Sequence, residues 1–249
     1  MRADDVFDVR GKVAFVTGAA AGLGRAMAQA LAANGAHLWL FDRDGAGLRA
    51  TAAELGATAV QGDVTDRFAV DGTVADIVAQ HGRLDICIAN AGVSDAAPGL
   101  LHAMADDDWA RVVGVNLTGV MHSCRAALGV MAPAGRGKIV TVASMWGLAA
   151  PAGVFPRPAY AASKGAVVNL TREMALQYAG LGIQVNALCP GIFQTETRPR
   201  DPAAAVAYTP MGRLGRPEEL AGATLFLCSS ASDFMTGQTL VIDGGVLAR

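Results

Sequence analysis

Short apolar runs alternate with helix-patterned stretches along the whole chain, and that alternation leaves few folds open. Lys12–Thr17, His37–Phe41, Thr58–Gln61, Leu84–Ala89, Lys138–Val142, Ile183–Leu188 and Thr239–Ile242 read as strands. Between them, helices are predicted from Leu23 to Asn34, where Gly35 stops the turn, from Gly45 to Leu55, and from about Asp66 to Gln80. The acidic run Asp106-Asp107-Asp108 suits the N-terminal dipole of a long helix, another helix carries Tyr160, and Pro217 starts a further one. Apolar strands joined by helical crossovers predict a parallel sheet covered on both faces. The expected fold class is α/β, as a single domain over residues 1–249. At 52% hydrophobic and 17% charged, the chain has ample apolar surface for that core. No repeat, low-complexity segment or linker divides it.

Charge and composition narrow the function. The net charge of −2 and the lack of a Lys/Arg cluster argue against nucleic acid or an anionic membrane as partner. No apolar run is long enough for a bilayer, and Met1–Asp8 is charged throughout, without an apolar signal core. A cytoplasmic protein is expected. Cys87, Cys124, Cys189 and Cys228 form no Cys-x-x-Cys pair and are expected to be buried thiols. The four histidines are scattered, and no metal is expected.

Two motifs carry chemistry. Thr17-Gly18-Ala19-Ala20-Ala21-Gly22-Leu23-Gly24 falls between the first strand and the first helix. Missing side chains there let a backbone approach a pyrophosphate, whose charge a helix N-terminus favours; a plain glycine-rich turn is the bland alternative. Asp42 ends the second strand, where a carboxylate accepts hydrogen bonds from adenosine ribose hydroxyls and repels a 2′-phosphate. No Arg or Lys stands at positions 19–21 to welcome that phosphate, so NAD is favoured over NADP, although Arg43 is adjacent. Asp42 and Arg43 also suit a turn. Asp63-Val64 and Asn90-Ala91-Gly92 follow strands three and four at the edge where ligands bind open α/β sheets. Asn90 fits a ligand contact and a structural turn equally.

The second motif is Tyr160-Ala161-Ala162-Ser163-Lys164, which puts a phenol and an ammonium on one helix face. Free tyrosine, with a pKa near ~10, is a poor base at neutral pH, and a nearby lysine charge favours the phenolate. Such a pair is also common in helices. Asn116 is a polar residue amid Val112, Val113, Val115, Leu117 and Val120. It suits either a special role or a cap on a helix kink.

Together, TGAAAGLG, Asp42, Asp63-Val64, Asn90-Ala91-Gly92, Asn116, Ser144, Tyr160-x-x-x-Lys164 and Pro190-Gly191 resemble the short-chain dehydrogenase/reductase family over nearly the whole chain. The resemblance implies a Rossmann-type sheet in the order 3-2-1-4-5-6-7, NAD(P)-dependent alcohol/carbonyl chemistry and a homotetramer. It implies Tyr160 as acid/base and Lys164 as its charge partner and ribose ligand. Ser144 would orient the substrate oxygen, and Asn116 would help hold a proton-relaying water. The implied cofactor contacts are Gly18, Ala21, Gly22, Leu23, Gly24, Asp42, Asp63, Val64, Asn90, Ala91, Gly92, Tyr160, Lys164, Pro190, Gly191 and Thr195.

The spacing from Ser144 to Tyr160 exceeds the family's usual one, through Pro151–Pro158. The segment Glu196–Ala203, where the family places its substrate lid, is short, which suits an open pocket or a small substrate. The ending Asp243–Arg249 resembles that of members oxidising sugar acids such as keto-deoxy-gluconate. Arg157, Arg198 and Arg200 are candidates to meet a carboxylate, or are solvated surface charges. The expected reaction is hydride transfer between NAD and a sugar acid or small polar hydroxy compound. One rival is a 3-oxoacyl-thioester reductase, whose usual NADP Asp42 disfavours. The other is a non-catalytic nucleotide-binding regulator, which the intact Ser-Tyr-Lys set disfavours.

Overall fold

The computed structural model describes residues 2–150, 155–196 and 202–248. Seven parallel strands form its sheet: β1 (Val13–Thr17), β2 (His37–Asp42), β3 (Thr58–Gln61), β4 (Ile86–Ala89), β5 (Gly137–Val142), β6 (Ile183–Pro190) and β7 (Thr239–Ile242). Their order is β3-β2-β1-β4-β5-β6-β7, as the family resemblance implied. After a short helix α1 (Ala3–Val6), the helices are α2 (Gly22–Ala33), α3 (Gly45–Leu55), α4 (Arg67–His81), α5 (Asp106–Val113), α6 (Gly119–Ala134), α7 (Pro158–Tyr178), α8 (Pro202–Tyr208) and α9 (Ala221–Cys228).

Alternation along each strand divides the core between the two faces. Phe15, Phe41, Cys87, Ile139 and Val185 pack with Val70 and Ile77 of α4, Val120 and Met131 of α6, and Val167 of α7. Their neighbours Val16, Leu40, Ile88, Val140 and Leu188 pack with Met27 and Leu31 of α2 and Leu227 of α9. Burial on both faces explains why these strands are mostly apolar. All four cysteines are buried and unpaired. No helix among the described residues is long and apolar enough to cross a membrane.

Some boundaries differ from the pattern. The fourth strand starts at Ile86 rather than Leu84. Asp85 turns its carboxylate to the Val13 N–H and to the Arg83 guanidinium instead. The helix opened by Asp106 is not continuous: a π turn, Gly114–Thr118, separates α5 from α6. Pro217 opens a 3-10 turn, Pro217–Leu220, and the α-helix begins at Ala221. The topology reverses between β1 and β4, which opens a crevice at the carboxyl ends of those two strands.

Candidate active site

A cavity of about 770 Å³ runs along that carboxyl edge, from the loop after β1 to the first turns of α7. Gly18 and Gly22 have φ of 68° and 57°, a left-handed conformation that favours glycine. A Cβ on Gly18 would lie 2.7 Å from Asn90 Nδ2, and one on Gly24 would lie 2.0 Å from the Gly18 carbonyl oxygen. Gly18 and Gly24 are therefore required by packing, whereas at Gly22 the nearest atom is Thr195 Cγ2 at 3.6 Å. Asn90 donates from Nδ2 to the carbonyls of Thr17 (2.9 Å) and Gly18 (3.0 Å), and from its backbone to Thr17 Oγ1. Its side chain ties the glycine loop to the end of β4.

The N-cap of α2, Ala21, offers no side-chain cap, so the first-turn N–H groups beside Gly22 stay open to an anion. Asp42 is half-buried at the end of β2. Its Oδ2 accepts from the Ala20 N–H and its Oδ1 from the Asp44 N–H, both at 3.0 Å. Arg43 is exposed on the same rim. Asp63 Oδ1 accepts from the backbone and hydroxyl of Thr65, and buried Val64 packs against Gly119. Ala21, Leu23, Ala91, Gly92, Pro190, Gly191 and Thr195 complete this wall.

At the other end Tyr160 and Lys164 share the cavity. Lys164 is 3% exposed, and its Nζ donates to the Val142 carbonyl at 2.6 Å and lies 5.8 Å from the Tyr160 ring centroid. Burial pulls its ammonium down to about 8, so the charge dominates at neutral pH. Neighbouring Cys189 is pushed up to about 11 by burial and stays a thiol. Ser144 is buried, lines the cavity, and accepts the Trp146 N–H at 3.1 Å on Oγ. Asn116, in the π turn, is wholly buried. Its Oδ1 accepts from the Val93 N–H (2.7 Å), and its Nδ2 donates to the Val93 carbonyl (2.9 Å) and to Ser163 Oγ (3.0 Å). Ser163 Oγ in turn donates to the Tyr160 carbonyl at 2.8 Å. A polar chain thus runs from the loop after β4 to the turn carrying Tyr160.

Comparison with known proteins identifies the family. Residues 18–247 match the family model described as enoyl-(acyl carrier protein) reductase. Gluconate 5-dehydrogenase of Gluconobacter oxydans is 40% identical over 253 residues, covering 97% of each chain. Cis-4-hydroxycyclohexanecarboxylate dehydrogenase of Sinomonas cyclohexanicum is 42% identical over 246 residues, covering 95% of this chain and 97% of the other. A short-chain type dehydrogenase/reductase from Mycobacterium marinum superposes with a TM-score of 0.92 at 36% identity, covering 98% of this chain and 99% of that one. The chain belongs to the short-chain dehydrogenase/reductase family.

This short-chain dehydrogenase/reductase is therefore an oxidoreductase that works with a nicotinamide dinucleotide. Its residues fit that group: an uncapped helix start beside Gly22, a carboxylate at the end of β2, and a buried ammonium at the far end of one cavity. Among the described residues no group of three or more His, Cys, Asp or Glu is placed to hold a metal.

Three further features shape the cavity of the short-chain dehydrogenase, and of their residues only Arg157 was singled out in its sequence. Arg157 lines the cavity but gives one arm of its guanidinium to the Asp95 carbonyl. Asp95 itself is a buried carboxylate on the cavity wall. Beyond them, Trp146 and Phe155 stand against Tyr208, with ring centroids 5.7 and 6.4 Å apart, and give the cavity an aromatic side. No motif marked Asp95, Trp146, Phe155 or Tyr208, because their meeting depends on α7, α8 and the loops after β4 and β5 converging. Arg198, Arg200, Pro151–Val154 and Thr197–Asp201 lie outside the described residues.

Proposed function

We propose that this short-chain dehydrogenase transfers a hydride between NAD and a secondary alcohol or ketone, with a sugar acid or similar small polar hydroxy compound as substrate. The carrying observation is a buried ammonium, Lys164, held beside the Tyr160 ring on the cavity that the open start of α2 also faces. The nicotinamide supplies or accepts the hydride when bound; the chain supplies the proton and the alignment. The Lys164 charge favours the phenolate of Tyr160, which lets Tyr160 take the hydroxyl proton in oxidation and return it in reduction. Ser144, on the same wall, orients the substrate oxygen. Asn116 belongs to the proton path towards Lys164 as part of the π turn, a local irregularity frequent at functional sites.

On the cofactor side, Gly18, Ala21, Gly22, Leu23 and Gly24 cradle the pyrophosphate, and Asp42 takes the adenosine ribose. Asp63, Val64, Asn90, Ala91, Gly92, Pro190, Gly191 and Thr195 form the rest of the bed, and Lys164 and Tyr160 meet the nicotinamide ribose. We read residues 1–249 as one domain acting in the cytoplasm as a homotetramer. The sugar-acid reading draws on the relative named gluconate 5-dehydrogenase and on Arg157 at the cavity wall. A relative named 3-oxoacyl-(acyl-carrier-protein) reductase, 36% identical over 248 residues, keeps a 3-oxoacyl-thioester reductase as the alternative. A panel of sugar acids, polyols, secondary alcohols and oxoacyl esters, read by nicotinamide absorbance, separates the two; turnover on oxoacyl esters alone would overturn the sugar-acid reading.

Two further results are expected. Wild type should bind NAD more tightly than NADP, and Asp42→Ala should narrow or reverse the gap. A charge-assisted hydrogen bond contributes on the order of 1.5–3 kcal/mol, about tenfold to hundredfold in affinity. Because Asp42 also holds the Ala20 N–H, Asp42→Asn is the cleaner variant: it keeps an acceptor and drops the charge. Parallel titrations with both nucleotides decide this, and tighter NADP binding by wild type would mean that Arg43 outweighs Asp42. Arg157→Ala should raise the apparent constant for an acidic substrate by about the same tenfold to hundredfold, and change little for a neutral analogue. Equal losses with both would assign Arg157 to holding the Asp95 carbonyl instead.

A further inference from the structure

Asp95 lies in the loop after β4, far in sequence from the acid/base, yet its side chain ends on the first turn of α7. Oδ1 accepts from the Tyr160 N–H at 2.8 Å and Oδ2 from the Ala159 N–H at 3.3 Å. Helix starts leave such donors without intrahelical partners. Pro158, the first residue of α7, has no N–H, and Arg157, at its N-cap, makes no side-chain cap. Asp95 is therefore a cap supplied from another part of the chain. A buried carboxylate with two N–H donors at a helix N-terminus is favoured both by hydrogen bonding and by the helix dipole.

The loop bearing Asp95 is itself fixed at successive residues. Val93 is bonded both ways to the Asn116 amide. The Ser94 carbonyl accepts from Arg111, and the Ala96 N–H donates to Asp108 at 2.9 Å. The Asp95 carbonyl accepts from Arg157, at the residue before α7. So the loop is a rigid bracket, and Asp95 is the side chain that transmits its position to the turn holding Tyr160.

We propose that Asp95 is a positioning residue for the reaction: it pins the first turn of α7 and thereby holds the Tyr160 phenol at its working distance from Lys164 and Ser144. This rests on Tyr160 being the acid/base proposed above. Lys164 is anchored separately, through the Val142 carbonyl. Without the pin, Tyr160 would lose its placement while the ammonium kept its own.

The test is the series Asp95→Asn and Asp95→Ala on the full chain, with two readouts. Hydrogen exchange at the Tyr160 and Ala159 amides reports the pin without any substrate. Protection should fall from wild type to Asn to Ala. On a substrate that wild type turns over, kcat should fall in the same order, by on the order of tenfold to hundredfold for Ala, the scale of a displaced reacting group. NAD affinity should stay within about twofold of wild type, and KM should move less than kcat. Asn, which keeps one acceptor for the Tyr160 N–H, should recover part of the loss. Unchanged amide exchange, kcat within about twofold of wild type in Asp95→Ala, or NAD affinity falling in step with kcat would each overturn the proposal. If Asp95→Ala does not fold, Asp95→Asn carries the test, and wild-type kcat in that variant overturns it. Failure of the acid/base reading shows separately, as substantial turnover by Tyr160→Phe with the Asp95 amide pattern intact.

Discussion

Replacing Tyr160 with phenylalanine should remove nearly all turnover and leave NAD binding close to that of wild type. The ring stays, and with it the packing beside Lys164, whose Nζ remains bonded to the Val142 carbonyl at 2.6 Å. Only the hydroxyl, the group proposed to exchange the proton, is lost. Positioned acid/base groups contribute roughly a hundredfold to ten thousandfold in rate, and the loss should fall in that range. Steady-state turnover by nicotinamide absorbance, beside an NAD titration of the same preparation, measures both. Lys164→Ala should weaken turnover and nucleotide binding together, because the proposed role of that ammonium covers both phenol and ribose. Burial already draws that ammonium down to about 8. Its charge is present below that pH and lost above it, so support for the phenolate fades as the solution becomes more alkaline. Substantial activity in Tyr160→Phe would refute the chemistry proposed.

The second large effect is expected at Gly24. A methyl group there would sit 2.0 Å from the Gly18 carbonyl oxygen and 2.4 Å from Asn90 Nδ2. Neither neighbour can yield easily. The first is backbone, and the second is held by two carbonyls at 2.9 and 3.0 Å. Gly24→Ala should displace the glycine loop from the end of β4, at the order of 1–3 kcal/mol typical of overpacking. It should weaken nucleotide binding beyond easy measurement. Gly22→Ala makes the contrast. A methyl there makes only ordinary contact with Thr195, at 3.6 Å, but its φ of 57° is left-handed, so it should cost about 1–2 kcal/mol of backbone strain without a clash. Thermal melts and NAD titrations of the two variants check this; wild-type nucleotide affinity in Gly24→Ala would show that the loop is softer than the packing requires.

Much of this architecture is legible in the residues themselves. The inner strands are buried on both faces and mostly apolar, so their runs stand out, the half-buried edge strands β3 and β7 continue the same alternation, and the glycine loop and Tyr160/Lys164 pair are local patterns. What is not legible depends on pieces of chain meeting late. Asn90 looks equally like a ligand contact or a turn residue until its amide is seen on Thr17 and Gly18. Asn116 is visible as a misplaced polar residue, but its partners, Val93 and Ser163, are set by the packing of α5, the π turn and α7. The π turn left no proline in the sequence to mark it. Asp95 is the clearest case: an aspartate in a loop carries no periodicity, and its two acceptors find their donors only when α7 is in place. Arg157 reads in sequence as a carboxylate ligand or a solvated surface charge, whereas in the fold one arm is committed to the Asp95 carbonyl.

The most direct test of the central claim is nicotinamide absorbance of the wild-type protein with NAD and a panel of secondary alcohols that includes sugar acids. Reduced nicotinamide should appear with at least one hydroxy compound, faster with NAD than with NADP, and should not appear with Tyr160→Phe on the same substrate. A folded wild-type protein that binds NAD and reduces none of it with any member of the panel, or a Tyr160→Phe variant that matches wild type, would contradict the account.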